Sequence, residues 1–114
     1  MGYMCHHAII VTSWDERSIV AAHKKACELF GDQNFLGRIS EITEITPQVI
    51  NGYMSFLISP DGSKEGWEHS ERGHNARNKF IQWLSSQKKN WCQYAEVQFG
   101  DEGGDNRLLR STEY

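Results

Sequence analysis

The sequence predicts a single α+β domain, in which two helices cover one face of an antiparallel sheet. Short apolar segments rich in β-branched residues alternate with two helical patterns, in the order strand, helix, strand, strand, helix, strand. That order is typical of the split βαβ, or ferredoxin-like, plan. The 114 residues suffice for one hydrophobic core, and no repeat or linker-like segment divides them, so residues 1–114 are expected to form one domain.

The first quarter of the chain predicts a strand followed by a helix. Residues 5–11 are rich in β-branched side chains and predict a buried strand. Ser13, followed three residues later by Glu16, predicts a capping box that opens a helix. The apolar stripe of that helix extends to Phe30, and Gly31 then occupies the expected position of a left-handed C-cap.

The middle of the chain predicts two strands joined by a turn. Residues 38–45 are the expected second strand, although their isoleucines recur every third residue rather than every second. Asn51-Gly52 is a turn signal. Residues 53–59 alternate in polarity and predict the third strand, which Pro60-Asp61-Gly62 ends.

The second half predicts a loop, a helix and a final pair of strands. Residues 63–73 are polar and predict a loop, with the second helix established by Asn75. Its apolar side is formed by Ala76, Phe80, Ile81, Trp83 and Leu84. Residues 91–99 predict the last long strand, residues 100–106 a turn, and residues 107–110 a short edge strand.

The apolar positions of the strands predict which face of the sheet meets the helices. The side chains expected to point inward are Met54, Phe56, Ile58, Ala95, Val97 and Phe99, whereas the first strand fits either phase, and His6 joins the open face if Ile9 and Val11 point inward. The open face would then present His6, Tyr53, Ser55, Leu57, Tyr94, Glu96 and Gln98. An aromatic and polar open face is suited to docking a ligand or a second copy, and equally to simple solvation.

The polar loop supplies further candidates beside that face. Residues 61–72 place Trp67 and His69 between a strand and a helix, where a rigid scaffold can present them. The sequence therefore predicts six binding residues, namely His6, Tyr53, Trp67, His69, Tyr94 and Glu96. It contains no nucleophile elbow, phosphate-binding glycine loop or paired-carboxylate motif, so no catalytic residue is assigned and a non-enzymatic protein is expected.

Composition excludes several classes of function. The net charge is −3, and the longest basic runs are two lysines each, which disfavours nucleic-acid binding. The Asn51-Gly52-Tyr53 segment matches an RNA-recognition signature only in part, because the leading cation is missing. Neighbouring residues of a strand point to opposite faces, so Cys5-His6-His7 is not expected to hold a metal, and no cofactor is predicted.

The cysteine count and the hydropathy favour a cytoplasmic protein. Three cysteines without paired spacing indicate a reducing compartment rather than a disulfide framework. The longest apolar run, residues 8–11, is far too short to span a membrane.

Three segments resemble small proteins encoded by phages and prophages. They are Gly2-Tyr3-Met4-Cys5-His6-His7-Ala8-Ile9-Ile10-Val11-Thr12-Ser13, Asn51-Gly52-Tyr53 and Pro60-Asp61-Gly62-Ser63-Lys64-Glu65-Gly66-Trp67. The resemblance assigns no residue a role. It implies an accessory protein in the host cytoplasm that binds and inhibits a host factor, such as a defence component, or sequesters a small signalling molecule. We expect a homodimeric binding protein, and the alternative is a dimeric ferredoxin-like domain that binds a small molecule or nucleotide, as a sequestering protein or an enzyme.

Overall fold

The computed structural model describes residues 4–31, 38–64, 66–100 and 106–112. It contains the strands β1 (Cys5–Ser13), β2 (Met54–Ile58), β3 (Gln93–Gly100) and β4 (Arg107–Ser111), and the helices α1 (Glu16–Phe30) and α2 (Glu68–Ser86). All strand pairs are antiparallel, in the order β2-β1-β3-β4. The prediction of an α+β fold with an antiparallel sheet and two helices is confirmed at this level.

One face of the sheet and both helices share a single hydrophobic core. The strands contribute Ile9, Val11, Met54, Phe56 and Ile58, and the helices contribute Ile19, Ala22, Ala26, Phe30, Ala76, Phe80, Ile81 and Leu84. The phenyl rings of Phe30 and Phe80 meet edge to face, with centroids 6.4 Å apart, and join α1 to α2. The inward phase predicted for β2 is therefore confirmed, and in β1 it is Ile9 and Val11 that point inward.

The start of α1 differs from the predicted capping box. The N-cap is Asp15, whose carboxylate accepts from the Ser18 amide at 3.1 Å and from the Ser18 hydroxyl at 2.6 Å. The hydroxyl of Ser13 accepts from the Asp15 amide instead and donates to the carbonyl of Trp91. Asp15 rather than Ser13 caps α1 because Ser13 is the last residue of β1. Gly31, at the other end of α1, has extended backbone (φ −74°) and not the predicted left-handed conformation.

Residues 38–45 do not form the predicted strand, but they lie along the outer edge of β2. Ile42 forms an isolated bridge with Ile58, and the amides of Thr43 and Thr46 donate to carbonyls of β2. The hydroxyls of these two threonines accept from the amides of Leu57 and Ser55, at 2.8 and 3.0 Å. Threonine side chains thus take the place of backbone acceptors, which explains why the edge is satisfied without a regular ladder.

The other predicted elements form, although the second helix is longer than predicted. Asn51 and Gly52 have positive φ values of 62° and 76°, which confirms the predicted turn. α2 begins at Glu68, well before Asn75, so the second part of the predicted loop is helical. β4 confirms the predicted edge strand. Most of the turn predicted over residues 100–106 lies outside the described residues.

Candidate functional site

The register of β3 places its alternating side chains opposite to the predicted phase. Glu96 pairs with Ile9, and Tyr94 pairs with Val11, so both side chains lie on the helix face. Tyr94 is half-buried against the core, and Glu96 is fully buried. The prediction that Tyr94, Glu96 and Gln98 line the open face is wrong. Its physical cause is that the buried Arg77 and the partly exposed Arg110 compensate the Glu96 carboxylate, so polarity no longer marks the exposed side of the strand.

The open face of the sheet is consequently apolar at its centre and polar at its margin. Its central side chains are Ala8, Ile10, Leu57, Ala95, Val97, Phe99 and Leu108. Ile10, Phe99 and Leu108 leave 46%, 43% and 57% of their surface accessible. The polar margin consists of His6, Thr12, Ser55, Gln93 and Ser111. The apolar residues span the sheet from Leu57 on β2 to Leu108 on β4, and the polar residues lie mainly towards the ends of the strands. An apolar patch of this extent on an exposed face is suited to a protein interface.

No Asp, Glu, Lys or Arg of the four strands lies on this open face. β1 and β2 contain none, and the three that β3 and β4 contain pair across the helix face. Glu96 pairs with Arg110, and Gln98 pairs with Arg107. Depletion of charge is the compositional mark of the centre of an interface. His6 lies at the margin with its ring 5.2 Å from that of Phe99.

An aromatic cavity lies at the end of the sheet where β1 finishes and β2 and β3 begin. Its volume is about 460 Å³, and its lining is Trp14, Tyr53, Asn90, Trp91, Cys92, Gln93 and Thr112. Trp14 and Trp91 are 52% and 56% exposed. A second cavity of about 670 Å³ lies between the end of α2 and β4, and it shares Asn90, Cys92 and Thr112 with the first.

The thiol of Cys92, which lines both cavities, is a weak nucleophile because its pKa is raised. Burial raises the pKa of Cys92 to about 11, and the nearby charge of Asp15 acts in the same direction. A hydrogen bond with Ser13 opposes the rise in pKa but does not overcome it. The thiolate is the nucleophilic form of cysteine, so Cys92 is unsuited to covalent catalysis at neutral pH.

A buried ionic cluster lies under the sheet, between α2 and β3. The Nε and Nη2 atoms of Arg110 donate to the two carboxylate oxygens of Glu96 at 2.6 and 3.1 Å. Arg77 places its Nε 3.6 Å from Glu96 Oε2 and its Nη1 3.9 Å from Asp61 Oδ2. Arg77 also donates to Nδ1 of His74 at 3.2 Å. The bonds to Glu96 raise the pKa of Arg110 above its ordinary value.

This cluster fastens elements together rather than forming a reaction centre. Asp61 belongs to the segment after β2, Arg77 to α2, Glu96 to β3 and Arg110 to β4, so the cluster links four parts of the chain. Both oxygens of the Glu96 carboxylate accept from Arg110, and the Nε of Arg77 lies 3.6 Å from Oε2. A carboxylate held this way is a poor general base, because its lone pairs already accept charge-assisted hydrogen bonds.

The six predicted binding residues do not meet in one pocket. His6 lies on the open face, Tyr53 lines the aromatic cavity, and Tyr94 and Glu96 lie on the helix face. Trp67 precedes α2, where Lys64 Nζ lies 6.0 Å from its ring centroid. The last of the six, His69, bonds through Nε2 to the carbonyl of Ile39 at 3.1 Å. Within the described ranges, no three His, Cys, Asp or Glu side chains gather as a metal site.

Sequence reasoning selected Tyr53 of the aromatic cavity and His6 of the open face, but it did not single out the other residues of these two candidate sites. Trp14 and Trp91 each stand next to a strand end, and only the pairing of β1 with β3 brings them together. Ile10 and Leu108 could be assigned to the open face only once it was known which side chains of each strand point towards the helices. The one available signal was the unusual number of tryptophans, which is four.

The described part of the chain contains no helix long and apolar enough to cross a membrane. Comparison with protein-family models, with curated proteins and with solved structures found no match to this chain.

Proposed function

We propose that this chain is a non-enzymatic binding protein that docks on a partner protein through the open face of its sheet. The observation that carries the proposal is the uncharged, apolar centre of that face. A surface of this kind is costly to leave in water, since Ile10, Phe99 and Leu108 are each about half exposed. The absence of charge from the four strands on this side means that a partner need not supply compensating charges.

The dimensions of the face fit a protein partner better than a small ligand. Four strands about 4.8 Å apart, with β1 nine residues long at about 3.3 Å per residue, give a face of roughly 19 by 30 Å. A specific protein interface buries about 800 Å² on each partner. The relief of the side chains raises the accessible area of the face above its flat dimensions, so the whole face is of the right order for one such contact.

The resemblance to phage-encoded proteins supports a particular partner, a protein of the infected host. In this proposal the chain occupies a functional surface of the host protein and thereby inhibits it, without chemistry of its own. The state of the buried groups supports a non-catalytic role. Glu96 is engaged by two arginines, and the raised pKa of Cys92 keeps that thiol protonated.

We further propose that the chain follows the split βαβ plan with an irregular second strand. Residues 41–49 run beside β2 and would fill the place of that strand, giving the order of a ferredoxin-like sheet with β4 added at the far edge. The bonds of Thr43 and Thr46 to β2 support this reading.

The competing occupant of the open face is a second copy of the chain. A face without charges brings no like charges together across a twofold axis, so self-association carries no electrostatic penalty. Size-exclusion chromatography with light scattering separates the two occupants, because only the second copy gives a dimeric mass for the purified chain. A dimer that Leu108→Glu converts to a monomer would overturn the host-protein proposal.

The positive test uses two matched variants of exposed aliphatic residues. Leu108→Glu places a charge on the open face, and Val20→Glu places one on the outer side of α1, where Val20 is similarly exposed. We expect the wild-type chain and Val20→Glu to have the same oligomeric mass and to retain one and the same host protein from lysate. Leu108→Glu should keep its circular dichroism spectrum and lose that protein. Retention of the same protein by all three chains would exclude the open face as the docking surface.

A further inference from the structure

The aromatic cavity at the end of the sheet has the construction of a small-molecule site, independently of the open face. Trp14 follows β1, Tyr53 precedes β2, and Trp91 precedes β3, so antiparallel pairing gathers three aromatic side chains at one sheet end. The volume of about 460 Å³ lies in the range of ligand pockets, about 300–1,000 Å³.

The backbone that carries these rings is fixed by buried hydroxyl groups. The Ser13 hydroxyl donates to the carbonyl of Trp91 at 2.9 Å, and the amide of Trp91 donates to the Ser18 hydroxyl at 2.9 Å. Asn90 adds a bond from Nδ2 to the Ser18 carbonyl, and its Oδ1 accepts from the Cys92 amide. Ser13 and Ser18 are both buried. Trp91 therefore projects an exposed indole from a backbone that is held on both sides, which is the arrangement of a preorganised site.

Several hydrogen-bonding groups of this cavity are not used within the fold. In the described ranges, the side chains of Trp14, Tyr53, Trp91 and Gln93 form no hydrogen bond, whereas those of Asn90 and Thr112 are committed to the backbone. Two indole N–H groups, a phenol hydroxyl and a primary amide thus remain for a ligand. The two indole N–H groups can only donate, and the phenol and the amide can donate as well, so the ligand needs acceptors such as ring nitrogens or carbonyl oxygens.

We propose that this cavity binds a flat, uncharged heteroaromatic ring bearing hydrogen-bond acceptors, of which the base of a nucleoside is the representative. Half-exposed tryptophans supply faces on which such a ring stacks. None of the seven lining residues carries a charge, so a phosphate group finds no cation in the cavity itself. The ligand is recognised by its ring and the ring's acceptors, and a free nucleoside should bind at least as well as its monophosphate.

The experiment follows the indole N–H resonances of the ¹⁵N-labelled full chain during titration with adenosine, guanosine, cytidine and uridine. The chain has four tryptophans, so each reports on its own surroundings. We titrate to roughly 10 mM, ten times the dissociation constant of a weak ligand of about 1 mM. The resonances of Trp14 and Trp91 should shift with at least one nucleoside. Those of Trp67 and Trp83, which lie outside the cavity, should not.

Variants and a charged analogue complete the test. Trp91→Ala should weaken binding about tenfold or more, whereas Trp67→Ala, which removes a similarly exposed ring, should leave it unchanged. Gln93→Ala removes an exposed amide that the fold does not use, and it should weaken binding with no change in melting temperature. Equal shifts of all four indoles, no shift with any of the four nucleosides, or tighter binding of adenosine monophosphate than of adenosine would each overturn the proposal. None of these outcomes bears on the open face, which Leu108→Glu tests separately.

Discussion

Replacing Glu96 by glutamine should destabilise the protein by about 3 kcal/mol, because it removes the charge at the centre of the buried ionic cluster. Glu96 is 1% exposed and Arg77 is 2% exposed. Glutamine keeps the volume of the side chain, so no cavity forms and the loss reports on electrostatics. Arg77 would keep Asp61 at 3.9 Å as its carboxylate partner in the cluster, while Arg110 can turn its half-exposed side chain towards water.

The magnitude follows from the geometry of this pair. Breaking a buried ion pair by removing one partner costs about 3–5 kcal/mol. The Arg77 Nε to Glu96 Oε2 separation of 3.6 Å is long for a charge-assisted bond, which places the expected loss at the lower end. With a urea dependence of about 1.5 kcal/mol per molar, a loss of about 3 kcal/mol lowers the unfolding midpoint by about 2 M.

Urea unfolding followed by tryptophan fluorescence measures this loss, and an exposed ion pair of the same chain serves as the control. The Arg38–Glu41 pair lies on the surface, so Glu41→Gln should cost less than about 1 kcal/mol. The reasoning is refuted if Glu96→Gln lowers the free energy of unfolding no more than Glu41→Gln does.

Three further predictions concern the helices and the cysteine beside the cavities. Gly73→Ala should destabilise the protein by about 1–3 kcal/mol despite the better helix propensity of alanine, because the added Cβ would overlap the Asp61 carboxylate and lie 2.9 Å from Arg77 Nη1. Thermal unfolding measures this loss, and a melting temperature above that of the wild type would show that these groups can move apart. Asp15→Ala should cost about 1 kcal/mol in chemical unfolding by removing the α1 cap, and a cost near zero would argue against that cap. Because folding raises the pKa of Cys92, the protonated thiol contributes fully to the free energy of unfolding below pH 9, and this contribution is lost as the pH rises from 9 to about 11. For a partly exposed thiol we expect a loss of about 1 kcal/mol, which should be absent in Cys92→Ser. Identical stability–pH profiles of the two chains would exclude this linkage.

The elements with a strong local pattern were predictable from the sequence. β1, α1, β2 and β4 all form close to their expected positions, because β-branched clusters, an amphipathic stripe and turn residues act over short distances. Residues 38–45 failed as a strand for a reason that was visible in the sequence. Their isoleucines recur every third residue, and Ile39, Ile42 and Ile45 contact the core from an irregular segment.

The phase of β3 could not be predicted from its own residues. Both of its alternating sets can be argued inward, since one contains Val97 and Phe99 and the other contains Tyr94 and a carboxylate. The choice depends on Arg77 and Arg110, which approach Glu96 from α2 and β4. Once a buried charge is compensated by distant partners, the polarity of a strand no longer indicates its solvent side.

The candidate sites were still less accessible to sequence reasoning. Tyr53 was predicted as a binding residue and it lines the aromatic cavity, but its neighbours there, Trp14 and Trp91, come from segments far apart in the chain. Their convergence is a property of the strand order. The same holds for the open face, whose uncharged character is seen only after Glu96, Arg107 and Arg110 are placed on the other side.

The threonine hydroxyls along the edge of β2 have a consequence for how this protein resists fibril growth. By occupying the amides of Ser55 and Leu57, Thr43 and Thr46 leave that edge without donors for an incoming strand. β4 is the other outermost strand of the described sheet. β4 is short and carries two arginines among its five residues, and both properties discourage strand addition. Both edge strands are therefore poor templates for an incoming strand: the outer amides of β2 are already hydrogen-bonded, and β4 is short and charged.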